Sequence, residues 1–189
     1  MKETVIDRYE VTQNQEVIID VSVGKIEELY EDFDSAATYV KKDLDQDFVD
    51  YLIESVREIL PSKYIIRINL PARQEDKKKM RVKKSIKNYF LYLEELERRM
   101  LKMLFKRSVY YCGLGLLLLF FSLSHQEKET SSLFQQVFFE GLVIAAWVSM
   151  WQACANLIIH WGPYYRNIRI FRSIIAQEVV FQDGTAAFD

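Results

Sequence analysis

The sequence predicts a mixed α+β fold, in which a small domain of two or three strands is carried on a helical stalk joined to a two-helix transmembrane hairpin. Two short β-branched segments, 16–23 and 63–70, are typical of strands. Stretches between and after them repeat apolar residues at helical spacing. Two runs, 108–125 and 134–161, contain a single formal charge, Glu140, and are long enough for helices that cross a bilayer.

The N-terminal elements are predicted from local patterns. A first strand over 4–12 has poor alternation, whereas 16–23 is bounded by turn-forming residues and ends at Gly24. Residues 25–33 predict a short amphipathic helix, and 34–45 an irregular connection. The apolar face of that short helix consists of Ile26, Leu29, Tyr30 and Phe33.

A second helix is predicted between an acidic cap and a proline. Asp45 suits the N-cap, Asp47 suits the first turn, and Pro61 ends the pattern. Its apolar face consists of Phe48, Leu52, Ile53, Val56, Ile59 and Leu60. The strand 63–70 follows and ends at Pro71. Since helices connect the two good strands, parallel pairing is favoured.

A long helix is predicted from about Glu75, because no proline or glycine interrupts the chain before Gly113. It runs directly into the first span. Its apolar stripe consists of Val82, Ile86, Tyr89, Phe90, Leu93, Leu96, Met100, Met103 and Leu104, and Met80 is expected on the same side. After Pro163, residues 164–176 predict a juxtamembrane helix, and 178–182 a closing strand of the same sheet.

The predicted organisation has four parts. A cytosolic α+β domain occupies 1–73, a basic juxtamembrane stalk helix 74–107, the hairpin with a short outside loop 108–161, and a cytosolic return segment 162–189. The charge distribution agrees with this division. Residues 1–60 hold 16 acidic and 6 basic side chains, while residues 63–107 hold 5 acidic and 15 basic ones.

The flanks of the two spans predict their orientation. The loop 125–132 carries one lysine and two glutamates. Basic residues concentrate at the other ends of the spans, at Arg98, Arg99, Lys102, Lys106, Arg107, Arg166, Arg169 and Arg172. The positive-inside rule therefore predicts that both termini are cytoplasmic, with Trp161, Tyr164 and Tyr165 at the cytoplasmic interface.

The second span carries candidate intramembrane sites. A ridge of small residues at i, i+4 spacing consists of Gly141, Ala145, Ser149 and Ala153, which is typical of close helix packing. Gln152, Asn156 and His160 form a polar stripe on the same side, and a polar stripe faces protein or water. The stripe indicates either a helix–helix seam, within the hairpin or between protomers, or a path for an ion or proton. Glu140, roughly opposite, is either a functional carboxylate or one that reaches headgroups.

The start of the stalk helix is strongly basic. The basic residues are Lys77, Lys78, Lys79, Arg81, Lys83, Lys84 and Lys87. The pattern is typical of a solvated helix face, or of a patch that contacts an anionic lipid leaflet or an acidic protein. The flanking spans favour lipid over nucleic acid, and no nucleic-acid partner is predicted.

Catalytic, metal and cofactor motifs are not found in the sequence. His125 and His160 are predicted at opposite membrane faces, and Cys112 and Cys154 lie one in each span. The acidic residues of 43–54 have the spacing of a calcium loop, but Phe48 stands where that loop needs glycine. No metal, no cofactor and no enzymatic activity are therefore predicted.

Several blocks of the chain resemble an uncharacterised family of prokaryotic two-span membrane proteins. The blocks are Leu29–Asp34, Lys42–Asp45, Asp50–Glu54 and Glu140–Trp151. The first, second and fourth resemble the family patterns LFNxLD, RDLD and EGLxIxxWVxxW. The chain departs from the family at Gln152–Ala153, where Arg-Pro is usual, and at His160–Pro163, where the family has D-W-W-P. The resemblance implies a two-span architecture in the prokaryotic cytoplasmic (inner) membrane, and it implies no activity.

The function predicted is that of a non-enzymatic membrane protein, a scaffold, adaptor or sensor. Its cytosolic domain would bind a partner, and its small-residue ridge would support an oligomer. The partners expected are the lipid bilayer, further copies of the chain, or another membrane or cytosolic protein. The alternative is a subunit of a homo-oligomeric channel or transporter that uses Glu140 or the polar stripe.

Overall fold

The computed structural model describes residues 8–30, 44–125 and 132–184. They form a mixed α+β structure with one four-stranded sheet and two long apolar helices. The chain divides into two compact units. The first unit consists of Met1–Glu95 and Arg169–Asp189, and the second of Leu96–Ile168. The predicted boundaries at 73, 107 and 161 depend on the membrane interpretation and stay predictions.

The helices and strands follow the chain in a simple order. They are β1 Glu10–Val11, β2 Val17–Ser22, a 3₁₀ helix Ile26–Leu29, α1 Gln46–Ile59, β3 Tyr64–Leu70, α2 Asp76–Ser124, α3 Leu133–Ala155, a π-helical turn Asn156–His160, α4 Trp161–Ala176 and β4 Val179–Asp183. The predicted strands 16–23, 63–70 and 178–182 are thus confirmed. The connection predicted over 34–45 lies outside the described residues up to position 43, as does Phe33.

The sheet has the order β1-β2-β3-β4. β1 runs antiparallel to β2, whereas β2, β3 and β4 are parallel to one another. Ile19 pairs with Ile66, and Ile68 pairs with Phe181. The parallel pairing predicted for the two good strands is therefore confirmed.

The core of the first unit lies on one side of this sheet. Alternate residues of β2 and β3, from Val17 and Tyr64 onward, are buried against the apolar face of α1. Asp45 caps α1 as predicted, since its side chain accepts a hydrogen bond from the backbone N–H of Phe48. α2 and α4 complete the core with Val82, Ile86, Phe90, Ile170, Phe171 and Ile174. Each large apolar side chain buried here stabilises the fold by about 1.5–3 kcal/mol.

The second unit contains two helical segments packed side by side. The hydroxyl of Ser122 on α2 donates to the backbone carbonyl of Phe139 on α3, at 3.1 Å. Two helices, Asp76–Ser124 and Leu133–Ala176, are long and apolar enough to cross a membrane. Only 11% and 17% of their most apolar windows are buried, whereas the core helix of a soluble domain would be mostly buried.

Pro163 does not end the helix in the way that the sequence predicts. Helical structure continues from Leu133 to Ala176, so the predicted separate helix after Pro163 is part of one longer helix. Proline lacks the N–H that would bind the carbonyl four residues earlier. The π-helical turn Asn156–His160 ends three residues before Pro163 and shifts the hydrogen-bond register there, which accommodates the missing donor.

The predicted apolar stripe of the long helix is buried only in part. Val82, Ile86 and Phe90 lie in the core, but Met80 is 73% exposed. Two positions along a helix differ by about 200°, so Met80 and Val82 occupy opposite faces, and the prediction for Met80 was wrong. Leu96, Met100 and Met103 are also exposed.

Candidate functional site

In the predicted polar stripe of the second span, a hydrogen bond joins the first two residues, Gln152 and Asn156. The side-chain amide of Gln152 donates to Oδ1 of Asn156 at 3.3 Å, and Asn156 is 4% exposed. Nδ2 of Asn156 is buried and has no hydrogen-bond partner among the described residues. His160 and Glu140 are both exposed. The stripe therefore contains one buried amide between exposed polar groups.

The small-residue ridge is likewise divided. Gly141 has open space at its Cβ position and Ala145 is exposed, while Ala153 is buried. Ser149 turns its hydroxyl back to the carbonyl of Ala145, at 2.8 Å. The ridge is therefore exposed at Gly141 and Ala145 and buried at Ala153.

α2 and α3 come close together at residues that the predicted ridge did not include. A Cβ added at Gly115 would lie 2.7 Å from Cγ of Met150 and 3.0 Å from the carbonyl oxygen of Ala146. Ala146 itself is fully buried. The seam between the two helices is therefore built on Gly115 and Ala146, one position away from the predicted Ala145.

A groove of about 550 Å³ lies at the other end of this pair of helices. Its lining is formed by Leu101, Lys102, Leu104, Phe105, Lys106, Asn156, Leu157 and Trp161. The walls are almost entirely apolar, and the polar groups are the two lysines and the Asn156 amide. Sequence reasoning identified Asn156 but not the groove, since the pairing of the two helices was needed to form it.

The predicted basic patch on α2 is split between solvent and the sheet. Lys77, Arg81, Lys84 and Lys87 are exposed. Lys79 binds Asp183 of β4 at 2.5 Å, and Lys83 lies 3.7 Å from Glu178. Part of the patch therefore fixes β4 against α2, a role that the charge run alone did not indicate.

A second groove, of about 400 Å³, lies between the start of α2 and β4. Its lining is formed by Asp76, Lys79, Met80, Lys83, Glu178, Val180 and Phe181. β4 is the last strand of the sheet, and within the described ranges it pairs with β3 alone. This groove therefore runs beside an edge of β4 whose backbone groups pair with no other strand of the described residues.

The face of the sheet opposite the core carries a polar cluster around Arg67. Its guanidinium binds both carboxylate oxygens of Asp20, at 2.5 and 2.6 Å, and also binds Glu10. The amide of Asn69 donates to Asp20 at 3.2 Å. Hydrogen bonding by Arg67 lowers the pKa of the Asp20 carboxyl below its usual value. The strand register places Asp20 directly beside Arg67 and so brings the cluster together. Because its charged groups bind one another, the cluster indicates a structural role.

The remaining residues that could bind a metal or react as thiols are the histidines, cysteines and carboxylates. In residues 8–30, 44–125 and 132–184, no group of three or more His, Cys, Asp or Glu side chains could hold a metal ion. Cys112 and Cys154 are free thiols and exposed.

Comparisons with protein-family models, with curated proteins and with solved structures found no match.

Proposed function

We propose that the chain is an integral membrane protein without catalytic activity, a scaffold or adaptor whose first unit binds a cytosolic partner. The observation that carries the proposal is the groove beside β4. There, a strand edge that is unpaired within the described ranges lies next to an exposed apolar side chain and a basic helix face. The membrane part is supported by the two long apolar helices, whose most apolar windows are mostly exposed. The basic flanks favour cytoplasmic termini in a prokaryotic inner membrane.

The groove beside β4 favours an extended peptide as its occupant. Such a peptide adds a strand to a sheet edge, and its backbone hydrogen bonds supply affinity. Val180 and Met80 are 41% and 73% exposed and provide apolar contacts for alternate side chains of that strand.

The charge around the groove specifies the peptide further. Lys77, Lys84 and Lys87 are exposed at positions three, four and seven residues from Met80, so they share its side of α2. A partner strand with acidic residues next to its apolar ones would complement this face. The proposed partner is therefore an acidic, extended segment of a cytosolic protein.

A photo-crosslinking experiment in cells tests this assignment. A photoreactive amino acid is placed at Val180 on β4 or, as the matched control, at Val11 on β1, the opposite edge of the sheet. The two positions are 41% and 47% exposed. We expect one protein to be captured from position 180 through an acidic segment, and not from position 11.

Two substitutions sharpen the result. Val180→Glu should abolish capture by a photoreactive group at Met80, and Val11→Glu should not. Capture that is equal from both edges, or that maps to a helical or basic segment of the captured protein, would refute the proposed docking mode. Release of the chain from membranes by alkaline carbonate would refute the membrane assignment.

A second candidate function is a subunit of a homo-oligomeric channel or transporter. The observation that favours it is the exposure of Glu140, Gln152 and His160 along one apolar helix. Two helices cannot enclose a pore, so several chains would be required, and the open face at Gly141 and Ala145 would allow them to approach. Ion flux into proteoliposomes that is unchanged by Glu140→Ala and Asn156→Leu would exclude this function.

A further inference from the structure

The groove of about 550 Å³ in the second unit has the size and composition of a ligand site. Ligand pockets of proteins are mostly apolar, with a few convergent polar groups, and commonly enclose about 300–1,000 Å³. Here Leu104, Phe105 and Leu157 supply apolar walls. Lys102 and Lys106, one helical turn apart on α2, supply two positive charges on the same side of that helix.

The amide of Asn156 is the second, independent observation. It lines the groove, it is 4% exposed, and its Nδ2 has no partner in the described part of the chain. Buried polar groups in proteins nearly always have a hydrogen-bond partner, and an exception calls for an explanation. A ligand with an acceptor oxygen at this depth would satisfy the amide.

The backbone around Asn156 is also unusual. Asn156 and Leu157 open the π-helical turn, and Trp161 directly follows that turn. Single π-helical turns inside α-helices occur frequently at functional sites. The wider π-helical turn brings Asn156 and Trp161 closer to the same side of the helix, so that both line the groove together with Leu157.

The aromatic residues indicate the surroundings of the groove. The rings of Trp161 and Tyr165 lie 5.6 Å apart, and Arg166 follows them in the sequence. Tryptophan, tyrosine and basic residues concentrate at the level of lipid headgroups. This level is the one at which a phospholipid carries its phosphate and, slightly deeper, its ester carbonyls.

We infer that this groove binds one anionic phospholipid per chain. Lys102 and Lys106 would contact its phosphate and anionic headgroup, Nδ2 of Asn156 would donate to an ester carbonyl, and one acyl chain would lie along Phe105 and Leu157. Among the described residues, two lysines and no carboxylate line the groove, and this lining favours an anionic headgroup over a zwitterionic one. The inference rests on the proposed membrane location and adds a lipid class to it.

Native mass spectrometry of the full chain in mild detergent tests the inference. The chain is titrated with dioleoylphosphatidylglycerol or dioleoylphosphatidylcholine, which share their acyl chains and differ in charge. We expect one tightly bound phosphatidylglycerol, with an apparent Kd lower than that of phosphatidylcholine by at least about tenfold. Lys102→Gln with Lys106→Gln should remove most of this preference. Asn156→Leu should weaken both lipids together, because both carry ester carbonyls.

The matched control is Lys84→Gln with Lys87→Gln, which removes two exposed lysines of the same helix outside the groove. Equal binding of the two lipids, a control as damaging as the groove variant, or a second copy of the chain in place of lipid would overturn the inference. The lysine variant changes exposed residues only, so it keeps the test decisive if Asn156→Leu does not fold. Carbonate extraction of membranes separates the two proposals. Release of the chain by carbonate would refute the proposed membrane location, whatever the result of the lipid titration.

Discussion

The two units of the molecule use large and small side chains in opposite ways. In the first unit, large residues such as Ile66 and Phe90 are completely buried. In the second, large residues such as Phe120 and Trp151 are about three-quarters exposed, while Ala146 is completely buried and Gly115 lies in the helix seam. Large apolar side chains therefore form the core of the first unit and much of the surface of the second.

This difference agrees with the membrane location proposed for the second unit. In water, folding is driven by the removal of large apolar surfaces from contact with solvent. Lipid chains are as apolar as leucine, so helices in lipid associate through close packing of small residues. The first unit buries large apolar surfaces, as folding in water requires, and the second unit packs small residues closely, as association in lipid requires. The helix α2 runs through both units.

The largest expected effect separates the two units directly. Phe90→Ala should lower the free energy of unfolding of the first unit by about 3–5 kcal/mol, because it leaves a cavity in the core. Phe120→Ala, at a side chain that is 75% exposed, should change it by less than about 0.5 kcal/mol. Hydrogen exchange at the β3 amides of the full chain in detergent measures both. Equal effects would remove the distinction between the units.

A second prediction concerns the seam between α2 and α3. Gly115→Ala should destabilise the second unit by about 1–3 kcal/mol, because the added methyl group meets Met150 and the Ala146 carbonyl. Gly113→Ala is the matched control, since no atom lies within 4 Å of its Cβ position. Thermal unfolding in detergent, followed by circular dichroism, compares them. A control that is as destabilised as Gly115→Ala would contradict the packing described.

A third prediction concerns the buried phenol of Tyr64, which donates to the Ser173 hydroxyl at 2.9 Å. Tyr64→Phe should cost about 1 kcal/mol at neutral pH, because that hydrogen bond is lost. Burial raises the pKa of Tyr64 to about 12, so the folded state ionises later than the unfolded state. The corresponding stability is complete below the unfolded pKa of about 10 and is lost as the pH rises through the folded value.

The advantage of wild type over Tyr64→Phe should therefore shrink as the pH rises above about 10. Chemical denaturation of both proteins at neutral and alkaline pH measures this difference. Other titrating groups affect both proteins equally, so they cancel in the comparison. A constant difference across the alkaline range would show that the phenol is not protected from ionisation.

The smallest expected effect lies on the polar face of the sheet. Asp20→Asn should destabilise the first unit by about 0.5–1 kcal/mol at neutral pH, a modest value because the side chain is 38% exposed and screened by solvent. The pKa of Asp20 is lowered by Arg67, so its stabilisation is present above the unfolded pKa and is lost as the pH falls through the folded one. The difference from wild type should therefore vanish in acid. A difference that persists there would assign the effect to shape instead of charge.

The first unit was largely predictable because its patterns are local. The alternation of β3 and the Asp45 cap depend on a few neighbouring residues, and both are found as predicted. The 3₁₀ helix Ile26–Leu29 is the described part of the predicted 25–33 helix. The Arg67 cluster required the register between two strands, which local patterns do not provide.

The second unit was less predictable because its packing depends on which helix face meets the other helix. Gly113 and Gly115 are equivalent in sequence, yet their Cβ positions differ by about 200° and only Gly115 meets α3. The predicted stripe of Gln152, Asn156 and His160 assumed an α-helical pitch throughout. The structure instead has a π-helical turn at Asn156–His160, and of the three stripe residues it buries Asn156 alone.

The position of β4 after the two long apolar helices sets the order in which the sheet can be assembled during synthesis. Gln177, just before β4, donates a hydrogen bond to the carbonyl of Tyr64, 113 positions earlier. At about 5–20 residues per second, the ribosome needs on the order of 10 s to bridge this gap. Throughout that interval β3 is paired with β2 but lacks β4, its other parallel neighbour, while both long apolar helices emerge. The fourth strand can therefore join the sheet only after the apolar helices have left the ribosome. A nascent chain that stalls between these helices exposes the unpaired edge of β3 to proteases and chaperones.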